Sequence, residues 1–194
     1  GFNFETDKIR ANLNLPINYQ TINYLEIGNA VENTERDLFF NPNAILQYMF
    51  SLEKRLTLNY VHQTNFGNIS QVFPGIILQN YRTVISNDSY LQKSAEDSFS
   101  LSYDLENSAN LLFLNGEISF KNLRFDNIKS YTVEDDVILS NLLPLENEQT
   151  DWGLRLGLSK YLFKFKTKFS LDTQLNHSTF ESVLNEKLVP FRTN

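Results

Sequence analysis

The chain has 194 residues, enough for one β domain of ordinary size, with 17 basic and 23 acidic side chains and a net charge of −6. An acidic chain without a Lys/Arg stripe lacks the phosphate attraction on which nucleic-acid binding rests, and the absence of cysteine excludes disulfide frameworks, thiolate metal sites and a cysteine nucleophile. No apolar run approaches the roughly 18 residues of a spanning helix, and residues 1–10 lack the apolar stretch of a signal peptide. Yet 16 Phe and 9 Tyr are a heavy aromatic load for a mean hydropathy of −0.33. Transmembrane β-strands leave only such a weak trace, because lipid-facing residues are diluted one-to-one by polar ones.

A first strand is predicted over about 9–24, with Ile9, Ala11, Leu13, Leu15, Ile17 and Tyr19 in phase; Pro16 marks a bulge, an edge or the limit of pairing there. Residues 24–36 are polar, contain Gly28 and read as a loop. A second strand, about 38–50, puts Phe40, Ala44, Leu46, Tyr48 and Phe50 on one face. After a tight turn at 51–54, a third over 55–64 sets Leu56, Leu58 and Tyr60 opposite Thr57, Asn59 and Gln63. Residues 65–95 hold Gly67, Pro74, Gly75 and the polar run Ser86-Asn87-Asp88-Ser89, and read as a long excursion that cannot be one strand.

The clearest signal is the hairpin 97–125. Phe99, Leu101, Tyr103 and Leu105 alternate strictly with Ser98, Ser100, Ser102 and Asp104; a short polar turn follows at 106–110. Leu112, Leu114, Ile118 and Phe120 then alternate with Asn115, Glu117, Ser119 and Lys121. Residues 126–149 form another long connection, acidic through Glu134-Asp135-Asp136 and interrupted by Pro144. A sixth strand over 150–159 faces Trp152, Leu154, Leu156 and Leu158 one way and Asp151, Gly153, Arg155 and Gly157 the other. After a turn at 160–162, a seventh over 163–180 shows Phe165, Thr167, Phe169, Leu171, Thr173 and Leu175 against Lys164, Lys166, Lys168, Asp172 and Gln174. An eighth begins near 188–194.

The connections alternate: long at 24–36, 65–95 and 126–149, short at 51–54, 106–110 and 160–162. All short turns therefore lie at one end of the sheet and all long loops at the other, the asymmetry of outer-membrane barrels. Tyr48, Phe50, Tyr103, Tyr161 and Phe163 fall near the short turns, and Phe66, Phe120, Phe125 and Phe180 towards the loops, as interfacial girdles would. The competing reading is a secreted or surface β-sandwich whose long loops grip a ligand; its strands also alternate, but they usually run about 5–6 residues, whereas several here reach ten or more. The expected fold is all-β: a single segment, 1–194, of an antiparallel up-and-down transmembrane β-barrel with about seven to eight meandering strands.

Gln71-Val72-Phe73-Pro74-Gly75, followed by Leu78-Gln79-Asn80-Tyr81-Arg82-Thr83, resembles the loop motif "YPG…TNYR" in the barrels of Bacteroidetes-type TonB-dependent receptors. The Leu-Pro step near Arg10–Ile17, Asp37-Leu38-Phe39-Phe40 and the hairpin from Ser98 are similar as well. The resemblance implies a wall portion of a barrel of about 22 strands, closed by a plug, in the cell outer membrane. Such a receptor imports a scarce ligand (a glycan, peptide or metal chelate) without a cofactor. Its implied partners are outer-membrane lipid, the TonB complex through an N-terminal part that this sequence lacks, and a surface lipoprotein. With no plug, no TonB box and an ending Phe191-Arg192-Thr193-Asn194 that lacks a terminal aromatic, the chain is expected to be an internal segment of a larger barrel.

The chemistry-bearing residues are few. His62 and His177 have neither Cys nor His-x-x-x-His company, and Glu134-Asp135-Asp136 lacks the alternating spacing of a Ca²⁺ loop, so both read as polar surface and no metal site is expected. No Gly-x-Ser-x-Gly, phosphate loop or spaced carboxylate pair stands out, and no enzyme is expected. Tyr81 and Arg82, in the recognisable loop, are the candidate ligand-binding pair at the mouth. Glu117, Arg155 and Lys166 are the candidate lumen-facing residues, with Leu154, Leu156 and Leu158 towards lipid.

Overall fold

A computed structural model describes residues 1–26, 31–67, 75–87 and 92–193. The strands, in chain order, begin with β1 (Phe2–Glu5), β2 (Ile9–Asn14), β3 (Ile17–Glu26), β4 (Val31–Phe40) and β5 (Asn43–Ser51). They continue with β6 (Lys54–Phe66), β7 (Gly75–Asn80), β8 (Thr83–Asn87), β9 (Lys93–Asn107) and β10 (Leu112–Phe125). β11 (Ile128–Glu134), β12 (Val137–Leu143), β13 (Asn147–Leu162), β14 (Thr167–Leu184) and β15 (Lys187–Thr193) complete the chain. Long alternating runs bond their polar backbone only by pairing side by side, and antiparallel neighbours joined by short turns need the least chain to do so.

The result is a wall in the order β1-β2-β5-β6-β9-β10-β13-β14, antiparallel throughout. Turns at 6–8, 52–53, 108–111 and 163–166 lie at one end. At the other end stand the hairpins β3–β4, β7–β8 and β11–β12 and the turn joining β14 to β15. β12 joins β8 in parallel, and β11 joins the tip of β14 in parallel, so the β7–β8 and β11–β12 hairpins form a crown continuous with the wall in a 13-stranded sheet. β3–β4 forms a sheet of its own.

Three expectations need correction. Fifteen strands replace seven to eight, because the long excursions are themselves paired: β3–β4 covers the described part of 24–36, β7–β8 lies within 65–95, and β11–β12 within 126–149. Their polar composition reads as loop because the residues they bury, Phe39 of β4 and Ile128 and Ser130 of β11, are too few to set an apolar period of two. Second, the last short turn lies at 163–166 rather than 160–162, since Tyr161 and Leu162 still pair with Lys168 and Thr167. Third, the turn expected at 106–110 starts at 108, because Glu106 and Asn107 pair with Phe113 and Leu112. The motif residues Gln71–Pro74, together with Gly28 and Asp88-Ser89, lie outside the described residues.

Asp135 and Asp136 of the acidic run are the two central residues of the β11–β12 turn, both with positive φ (45° and 67°), and Asn185-Glu186 repeat that geometry between β14 and β15 (47° and 65°). Two-residue hairpins need two left-handed residues to match the strand twist, and Asp and Asn tolerate that conformation best among non-glycine residues.

Among the described residues the sheet does not close. β1 forms one side; at the other, Thr167–His177 of β14 pair with β13 alone. Nor does a second layer cover the wall, as a sandwich would require. The buried apolar side chains among the described residues are Phe39, Ile128 and Val183. Phe39 packs edge-to-face on Phe66 where β4 leans on β6, with ring centroids 5.0 Å apart. Ile128 and Val183 lie in the crown with buried Asn127, Ser130 and Ser182. Both faces of the wall are open.

Candidate functional site

Pairing register turns sequence alternation into rows that cross the wall. On the apolar face, Leu46, Leu58, Leu101, Ile118, Leu154 and Leu175 form one unbroken aliphatic row. Two residues towards the crown, Tyr60, Phe99, Phe120 and Trp152 form an aromatic row whose successive centroids are 4.6, 6.5 and 4.6 Å apart. Towards the short turns follow the rows Leu56–Tyr103–Gly116–Leu156 and Leu105–Leu114–Leu158–Leu171. These side chains are exposed to a degree that is unusual for their type: Trp152 is 52 % accessible, Ile118 54 % and Leu175 63 %.

From β2 to β14, with strands about 4.8 Å apart and about 3.3 Å of rise per residue, this face measures on the order of 800 Å². The largest apolar patches on soluble monomers reach about 300–600 Å². The physical requirement of the face is therefore an apolar medium or partner.

The first row beyond the aromatics on the same face is polar: His62, Asp97, Asn122, Thr150, Thr179 and Arg192. Asp97 is its hub. Its Oδ1 accepts the Tyr60 hydroxyl at 3.0 Å and lies 2.8 Å from His62 Nδ1, and its Oδ2 accepts Arg124 Nη2 at 2.5 Å. His62 Nε2 is 3.1 Å from Thr64 Oγ1. Hydroxyl, imidazole and carboxylate thus stand in the order of a nucleophilic triad, but the donors such chemistry would need are spent. The N–H of His62 bonds Pro42 O at 2.9 Å and that of Thr64 bonds Asn41 Oδ1 at 2.8 Å, leaving neither to hold an oxyanion. The arrangement instead ties β6, β9 and β10 together above the aromatic row.

A shallow groove of about 840 Å³ opens next to it, lined by Thr64, Lys93, Arg124, Phe125, Glu148 and Phe180 among others. Lys93 Nζ reaches Asp37 Oδ2 of β4 at 2.8 Å. The Lys93 ammonium, aided by the Leu38 N–H, holds the Asp37 carboxyl below its ordinary value, and Asp37 in turn raises Lys93.

The opposite face is mostly polar, interrupted by Ile45, Met49 and Val61 on β5 and β6 and by Phe113 and Leu123 on β10. Gln47, Thr57, Ser102, Glu117, Arg155 and Gln174 form its middle row, and Arg155 Nη2 bonds Gln174 Oε1 at 3.5 Å. Ion pairs Arg55–Asp104 (3.2 Å) and Lys121–Glu96 (2.9 Å) link neighbouring strands there. A side chain at Gly157 would run into Asn115 Oδ1 from the adjacent strand, so the Asn115 side chain would have to move.

Glu117 and Arg155, singled out from sequence, are direct register partners on this polar face. Lys166 is not on the strand wall; it caps the turn at 163–166 with φ 51°, because the chain tightens into a 3-10 turn before β14 begins. Lys164 sits in the same turn, so the expected lysine stripe keeps only Lys168 in a strand. Tyr81 and Arg82 form the tip of β7–β8, with the guanidinium 5.2 Å from the Tyr81 ring centre and Tyr81 exposed. The groove lies elsewhere. Asp97 and Arg124 were missed; the signal was present, since His62 and Asp97 each stand two residues beyond an aromatic on strands that pair.

No group of three or more His, Asp or Glu side chains is placed to hold a metal among the described residues. Comparison with protein families, curated proteins and solved structures finds none that matches this chain.

Proposed function

We propose that this chain is a stretch of the wall of an outer-membrane β-barrel transport protein of the TonB-dependent receptor type. One observation carries the reading: a wide apolar face, bordered by an aromatic row and then a polar row, with nothing laid over it among the described residues. Lipid is the medium that such a banded face suits, with aromatic rings at the depth of the headgroups. The polar face, with Glu117 and Arg155 at its centre, then lines the water-filled interior through which a ligand passes. The short turns point to the inner compartment and the crown to the outside. The receptor type and its partners, the TonB complex and a surface lipoprotein, rest on the sequence resemblance alone.

The chain has no cysteine, so single cysteines report sidedness directly. In intact cells, a membrane-impermeant maleimide should label Tyr81→Cys at the tip of β7–β8. Ala109→Cys, in the turn at 108–111, should react only after the outer membrane is opened. Equal labelling of both without permeabilisation would refute the topology.

A further inference from the structure

The turn between β13 and β14 differs in charge from the other short turns. From residue 162 to 168 the chain reads Leu-Phe-Lys-Phe-Lys-Thr-Lys, with no acid. The turns at 6–8 and 52–53 set Asp7 beside Lys8 and Glu53 beside Lys54, and the turn at 108–111 is uncharged. Phe163–Phe165 form a single 3-10 turn, closed by the Lys166 N–H on Phe163 O at 3.2 Å and by the Thr167 hydroxyl on Phe165 O at 2.9 Å. This closure leaves Phe163 59 % and Phe165 68 % exposed. Lys164 and Lys166, in the turn itself, take part in no ion pair among the described residues, while Lys168 already pairs with Tyr161 on the polar face of the wall.

Two independent features therefore coincide on one turn: the uncompensated charge of Lys164 and Lys166 and the bare ring of Phe165, whereas Phe163 packs edge-to-face on Tyr161 of the polar face with ring centroids 5.1 Å apart. Phe169 and Lys160 mark the last row of the apolar face, so the turn emerges where hydrocarbon would give way to headgroups. We infer that this turn is a binding site for the phosphates of anionic phospholipid on the short-turn side of the membrane. The inference rests on the membrane reading above. Phe165 enters the boundary of the acyl chains, while the stems of Lys164 and Lys166 run along it and bring their ammonium groups to the phosphates. An ammonium is a compact point charge that needs no fixed fork to meet a phosphate, which suits a mobile headgroup. An acidic protein in the adjoining compartment would satisfy the lysines but would leave the Phe165 ring without a reason to be outside.

The test uses the intact protein reconstituted into vesicles of phosphatidylcholine containing a minority of phosphatidylglycerol. Lipid retained through detergent washing is counted by mass spectrometry. Phosphatidylglycerol should be enriched over its bulk share, and less so at high salt. Each lysine near an anionic surface is worth about fivefold, so the combined Lys164→Gln, Lys166→Gln variant should weaken this binding by about twenty-five-fold. The corresponding double arginine variant should keep it, which separates charge from any loss of folding. Unchanged enrichment in an inserted glutamine variant would overturn the headgroup site while leaving the membrane reading standing. So would loss of a co-purifying acidic protein with lipid enrichment intact. Failure of the wild-type protein to insert into these vesicles would overturn both.

Discussion

Leu156 offers the sharpest test of what the apolar face meets. It stands on β13 four residues from Trp152 in the aromatic row and four from Lys160 in the last row before the turn. That is about 13 Å along the strand in each direction, or about 10 Å of depth for a strand tilted about 40°. On the membrane reading, Leu156 is therefore the midplane residue of its strand. An arginine at the midplane of a barrel costs about 2–4 kcal/mol, falling to about 0–1 near the interface. The same substitution on a water-facing sheet would stay within about 0.5 kcal/mol, since Leu156 is already 47 % accessible and its side chain has room to extend. Arg155, one residue away on the polar face, shows that the strand itself accommodates the side chain. The assay is reversible denaturant unfolding of the protein in lipid vesicles, with Trp152 emission as reporter for Leu156→Arg and Leu154→Arg. The expected order of loss is Leu156→Arg, then Leu154→Arg, with Thr150→Arg in the polar row nearly neutral. A flat series would refute the reasoning, because only a medium with a centre and an edge makes the cost depend on depth.

Removing the Asp97 carboxylate should cost about 2–3 kcal/mol, because Tyr60, His62 and Arg124 all lose a charge-assisted partner at once. Arg124→Ala should cost less than about 1 kcal/mol, as the guanidinium is half-exposed and solvent replaces its contact; equal losses in denaturant unfolding would mean that Asp97 is not the hub. The Asp37–Lys93 link predicts a pH response of the β3–β4 hairpin. The folded pKa of Asp37 lies below its unfolded value, so the link is complete above the ordinary carboxylate range and is lost as pH falls through the folded pKa. The raised pKa of Lys93 means that it fails again only as pH rises beyond the ordinary lysine range. Hydrogen exchange of β4 amides should accelerate on acidification in the wild type more than in Asp37→Asn, and identical pH profiles would dismiss the link.

The sequence by itself determined the two faces of the wall and the alternation of short and long connections. A period of two is a local property: each side chain takes its face from its own strand, whatever that strand pairs with. Hence Leu101, Ile118, Leu154 and Leu156 fell on one face and Glu117 and Arg155 on the other before any register was known. Only the tertiary structure decided which strand residues meet. The Asp97 hub needs residues 62, 97 and 124 at one height, and a slip of one residue would send Asp97 to the other face. The excursions escaped notice because β3–β4 and β11–β12 bury isolated residues, Phe39 and Ile128 with Ser130, rather than a whole apolar stripe, so their strands carry little amphipathic mark. Lys166 was misassigned because three lysines at a spacing of two look the same whether the chain runs straight or folds into a turn. Whether the apolar face is covered is likewise a tertiary fact: alternation says that a face is apolar, and only the placement of every other strand says that nothing of this chain's described residues lies over it.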